Sequence, residues 1–153
     1  MIPEFNPVVL IFGSYTLGVL AVYLLKSFNL YHHFENSNYI SDKLTRQLGV
    51  VKFGWLVKNT WMGAFSKHMK YKGKAKTETL ETLKSHMNDS DVGHLFGFIT
   101  MLIATFVLLY YGIEWWYFFL LILVNIIFNL YLVFLQQYNK RRIDRILNKS
   151  KSK

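Results

Sequence analysis

Between Val92 and Asn139 the chain carries a single formal charge, Glu114, set between two apolar runs, 92–113 and 115–135. At about 1.5 Å of rise per residue, either run crosses a hydrocarbon core of roughly 30 Å as a helix. A soluble domain would spread its apolar residues along amphipathic elements, whereas here they lie in blocks. The pair predicts a transmembrane hairpin with helices over 92–112 and 115–137. Gly112-Ile113-Glu114 is its turn, and Trp115, Trp116 and Tyr117 form an aromatic belt at the membrane interface. A further uncharged run, closed by Lys26, predicts another span over 8–27. Glu4 stands where a signal peptide would be basic, and no small-residue cleavage site follows Leu25, so the run reads as a membrane helix.

Charge placement orients these spans. The net charge is +9, and all eighteen Lys and Arg fall in two regions, eleven within 26–84 and seven within 140–153. The stretches without them carry Glu4 and Glu114. This is the positive-inside pattern, and both basic regions give one orientation: N-terminus out, C-terminus in. The expected partner of these charges is an anionic inner leaflet, worth about 1 kcal/mol per basic side chain near the surface, and not nucleic acid. The expected location is the cell's inner membrane, with the soluble mass cytoplasmic. There is no cysteine, which excludes disulfides, thiolate metal sites and a thiol nucleophile.

The inner segments are expected to be helical too. Over 47–69, Leu48, Val51, Trp55, Met62, Phe65 and Met69 follow helical spacing, flanked by Lys52 and Lys67. That suits an amphipathic helix in the inner interface, serving as an anchor or, in a lipid-modifying enzyme, as the wall of an acyl pocket. A lysine-rich link follows, and then a short cytoplasmic helix over 77–88, with Leu80, Leu83 and Met87 on one face. Asn88-Asp89-Ser90-Asp91 is expected to stop that helix and cap the next. The basic tail is 140–153. The fold class is thus all-α and membrane-integral, one membrane domain over 1–153 with three spans.

Two polar groups are candidates for chemistry. Asp91 and His94, spaced i,i+3, share a helix face at the membrane's inner boundary. An imidazole oriented by a carboxylate is a general base able to take a proton from a hydroxyl. The alternative is a first-turn acid beside an interfacial histidine. The second group is Asn125, Asn129, Gln136, Tyr138, Asn139 and Arg142. Asn125 and Asn129, i,i+4 within an apolar span, need polar partners and face another helix, as interhelical glue or as part of a site. Arg142 suits a phosphate or carboxylate. His32-His33 reads as part of an interfacial belt, so no metal site is expected. No P-loop, G-x-S-x-G, H-E-x-x-H or CxxC motif occurs.

The run from Asn129 through Gln136, Tyr138 and Asn139 to Arg142, with Asp91-Val92-Gly93-His94 opening the hairpin, resembles the small membrane acyltransferases typified by glycosyl-diaponeurosporenoate acyltransferase of bacterial carotenoid synthesis. Trp115-Trp116 and Lys52-Phe53-Gly54-Trp55 are looser echoes. Asp91 replaces the family's Glu, and Gln137 and Arg141 replace its Arg and Pro. The resemblance implies transfer of a fatty acyl group to a hydroxyl of a lipid-linked glycoside, from an activated donor such as acyl-CoA and without a bound cofactor. His94 would be the base and Asp91 its orienter, and Asn129, Gln136, Asn139 and Arg142 would hold head-group or donor oxygens. The competing expectation is a non-catalytic accessory subunit of a larger membrane complex. A third is a lipid-binding scaffold.

Overall fold

The computed structural model describes residues 6–34, 39–60 and 77–151, with the side chains of 77, 78, 150 and 151 excepted. These residues are helical, and no strand occurs among them. In order they form α1 (Pro7–Ser27), a 3-10 turn (Tyr31–His33), α2 (Asp42–Gln47), α3 (Val50–Asn59), α4 (Thr77–Tyr110), α5 (Trp115–Asn125), a π-helical turn (Ile126–Leu130) and α6 (Tyr131–Lys151). Three stretches are long and apolar enough to cross a membrane: Pro7–Ser27, Thr79–Tyr110 and Trp115–Lys149. Of an apolar stretch of 18 residues within α1 only 17% is buried by protein, and of one within Thr79–Tyr110 only 22%. Phe12, Leu17, Ile103 and Phe106 stand in the open. Water would not tolerate so large an apolar surface, but lipid does.

The chain divides into two compact units, one of 1–35 with 90–133 and the other of 36–89 with 134–153. In the first unit, Asn6 caps α1 by accepting from the Val8 N–H at 2.9 Å, and Pro7 occupies a first-turn position. The α1–α4 crossing is built on small residues. A Cβ at Gly18 would run into the Gly93 carbonyl, and one at Gly97 would lie 3.0 Å from the Ser14 carbonyl oxygen. Gly18 meets Gly93 and Ser14 meets Gly97, so the two helices run antiparallel with their backbones nearly touching. Gly13, the other small residue of this α1 stretch, has nothing within 4 Å. Met101, Tyr117 and Leu121 make a core at the hairpin, with Leu10, Ile11, Leu108, Ile113 and Val124 packed around it. The turn forms where the sequence places it. Gly112 has φ +91°, a conformation that L side chains rarely adopt, and the Glu114 carbonyl accepts from the Tyr117 and Phe118 N–H groups to start α5. Trp115, Trp116 and Tyr111 are exposed beside it, and Tyr117 is buried.

In the second unit, Leu80 and Met87 of α4 pack with Ile143 and Leu147 of α6, covered by Leu83, and Lys84 pairs with Asp144 at 2.8 Å. Ser41 caps α2 by accepting from the Leu44 N–H. Gly49, at φ +66°, turns the chain into α3. On α3 the inward face is Val50, Gly54 and Val57. A Cβ at Gly54 would lie 2.8 Å from Leu135 Cδ1. Leu48, Val51 and Trp55, the row read as the apolar face of the interfacial helix, are exposed. The remainder of that expected helix, with Met62, Phe65 and Met69, lies outside the described residues.

Two boundaries differ from expectation. Asn88-Asp89-Ser90-Asp91 does not stop a helix, because α4 runs unbroken from Thr77 to Tyr110. The four residues are weak helix formers, costing up to about 0.7 kcal/mol each, and none is Pro or Gly. Asn88, Asp91 and Val92 are almost fully buried, so packing overrides that penalty. The basic tail is likewise helix as far as Lys151, carrying Ile143 and Leu147 into a core.

Candidate functional site

Several polar groups of the first unit, His94, Asn125 and Ser14, converge on Asn129. This residue belongs to the π turn, an i→i+5 distortion that recurs at functional sites. Its amide is 3% exposed and reaches three helices. Asn129 Oδ1 lies 3.4 Å from His94 Nδ1 on α4. Asn129 Nδ2 donates to Asn125 Oδ1 at 2.9 Å and to Ser14 Oγ of α1 at 3.4 Å, with Met101 Sδ at 4.0 Å. Asn125 Nδ2 donates to the Phe98 carbonyl at 3.0 Å, and the Ser14 hydroxyl donates to the Ile11 carbonyl at 2.9 Å. Asn125 meets Phe98 and Asn129 meets His94, so the hairpin holds one antiparallel register across both pairs. Gly97 makes room for the convergence, since a Cβ there would sit 3.0 Å from Asn129 Oδ1.

His94 is half-buried, with the Tyr15 ring tilted 6.1 Å away. Its side-chain hydrogen bond goes to Asn129. Asp91, expected to orient the imidazole, is fully buried one turn earlier on α4, and the Asn129 amide contacts the imidazole from the other arm of the hairpin. Asn129 was expected to hold substrate oxygens. Its carbonyl and both N–H groups are engaged inside the bundle, with His94, Asn125 and Ser14.

The remaining candidates lie on α6 in the second unit. Gln136 is buried, Asn139 is half-buried, and Arg142 is exposed with its guanidinium 5.8 Å from the Tyr138 ring centroid. The neighbouring Arg141 was given no role in the sequence reading, yet it is the more heavily bonded. It donates to the Ile40 carbonyl at 2.6 Å, to Asp42 Oδ1 at 2.6 Å and to Thr45 Oγ1 at 2.8 Å. Arg145 also pairs with Asp42. Gly97 was missed as well, although Gly93-x-x-x-Gly97 is a small-xxx-small signal that could have flagged it. No group of three or more His, Asp or Glu able to hold a metal occurs among the described residues.

Fold and site together define a helical membrane protein with a histidine held by a buried amide relay. The family profile described as glycosyl-4,4'-diaponeurosporenoate acyltransferase matches residues 26–149, and the chain belongs to that family. This is the family its motifs resemble. No curated protein and no solved structure matches the chain.

Proposed function

We propose that this protein is a membrane-integral acyltransferase that moves a fatty acyl group from an activated donor, such as acyl-CoA, to a hydroxyl of a lipid-linked glycoside. The observation that carries the reading is the half-buried His94 imidazole held by Asn129 in a chain of this acyltransferase family. His94 takes the acceptor's hydroxyl proton as the oxygen attacks the acyl carbonyl. A C–O bond forms, the C–S bond of the thioester breaks, and the proton passes to the departing thiolate. Gln136, Asn139 and Arg142 bind head-group or donor oxygens, Arg142 through its planar fork of N–H donors. The protein lies in the inner membrane, N-terminus out and C-terminus in, with its basic residues on anionic lipid. The Asn-bearing face of the hairpin finds its partners within the chain, so these residues do not require an accessory role beside a foreign subunit.

The test compares wild type with His94→Ala in membranes, reading lipid extracts by mass spectrometry. Loss of a general base lowers turnover about 10²–10⁴-fold. An acylated glycolipid made at equal levels by a folded His94→Ala protein would exclude His94 as the base, and absence of any acylated product from the wild type would sink the enzyme reading.

A further inference from the structure

We infer that Asn125 and Ser14 are positioning residues that set, through Asn129, which nitrogen of His94 carries the proton. Two of the relay's ends are backbone carbonyls, which can only accept. Because the Phe98 carbonyl accepts, Asn125 must present its NH2 to it, and Asn125 Oδ1 is left facing Asn129. Ser14 uses its hydroxyl proton on the Ile11 carbonyl and offers Asn129 lone pairs alone. Both neighbours therefore demand N–H groups from Asn129, whose amide cannot flip without setting its oxygen against two acceptors. Its Oδ1 is turned to His94, and an oxygen there can only accept. The neutral ring must donate from Nδ1, leaving the lone pair on Nε2. That tautomer is the less favoured one for a histidine side chain in water, so the relay imposes it on the ring.

The consequence for catalysis rests on the acyltransferase reading. Nε2 is the atom that takes the hydroxyl proton, and the Nδ1–H bond to Asn129 persists in the imidazolium. The relay does what a carboxylate does in other histidine bases, but with neutral groups. Inside an apolar bundle this matters, because a neutral amide needs far less compensation than an unpaired buried charge. The π turn serves the same end by delivering Asn129 between α1 and α4.

The experiment uses full-length protein in detergent micelles with His32, His33, His68 and His86 replaced by Gln, so that His94 is the one histidine. With ring nitrogens labelled with 15N and the pH high enough to keep the ring neutral, NMR reads the tautomer directly. The expected spectrum has the proton on Nδ1 in this otherwise unaltered protein. Asn125→Leu is expected to shift the ring toward the Nε2–H form and to lower kcat about tenfold or more with KM little changed. Ser14→Ala is expected to act in the same direction, more weakly. A ring protonated on Nε2 before either substitution overturns the inference without requiring Asn125→Leu or Ser14→Ala to fold. Unchanged tautomer and kcat in Asn125→Leu overturn it as well. An Nδ1–H ring in a protein without acyl transfer would support the relay while removing the enzymatic reading. Activity with an Nε2–H ring would do the reverse.

Discussion

Arg141 and Arg142 are neighbours with different surroundings, and single substitutions separate them. Arg141 reaches a backbone carbonyl, a hydroxyl and a carboxylate, and its side chain is 17% exposed. Hydrogen bonds from a charged donor contribute roughly 1.5–3 kcal/mol each where they are shielded. The Asp42 pair contributes less than that, because the carboxylate is 42% exposed and Arg145 also holds it. Arg141→Ala is therefore expected to destabilise the protein by about 2–3 kcal/mol, measurable as a lower thermal midpoint in detergent. Arg142→Ala, which loses one exposed cation–π contact, is expected to change stability by about 0.5 kcal/mol or less and to weaken acceptor or donor binding. Equal stability losses in the two variants would contradict the assignment. The sequence could not separate them, because Arg141's partners lie about a hundred positions earlier, in 40–45, and no local pattern records that pairing.

At the scale of helices, the α1–α4 crossing makes a graded prediction. A methyl at Gly18 meets backbone, which cannot give way, whereas one at Gly93 meets its neighbours at 3.7 Å and one at Gly13 meets nothing. Gly18→Ala is expected to cost about 1–3 kcal/mol by forcing the helices apart. Gly93→Ala and Gly13→Ala are expected to be near neutral. Resistance to heat-induced aggregation in detergent would rank the three, and a Gly13→Ala variant as damaged as Gly18→Ala would count against this packing. The spans and the Gly112 turn were legible in the sequence because an apolar block of membrane length and a positive-φ glycine are local signals. The continuity of α4 was not, since the polar run at 88–91 looks like a stop until the burial of Asn88 and Asp91 is known. Nor was the site's arrangement. His94 and Asn129 are recognisable as polar residues in apolar surroundings, but their meeting depends on the register of the hairpin, which Gly97 and the π turn set. Asp91 takes the expected orienting role from its i,i+3 spacing and from the family resemblance, both of which are local signals.

At the scale of the whole molecule, orientation decides which compartment can supply the acyl donor, and charge placement makes it testable. If the eleven basic residues of 26–84 and the seven of 140–153 face the cytoplasm, the α4–α5 turn with Glu114 must lie outside. A cytoplasmic thioester would then meet the chain from the side where α4 begins and α6 ends. The absence of cysteine makes single-cysteine labelling clean. Glu114 and Asn148 are both exposed and distant from His94 in sequence, so Glu114→Cys and Asn148→Cys should leave the relay intact. With a membrane-impermeant maleimide on intact cells, Cys at 114 is expected to label at once and Cys at 148 only after permeabilisation. The opposite pattern would put the basic faces outside, away from anionic lipid and from any cytoplasmic thioester. An acyl donor carried within the membrane itself would then be required.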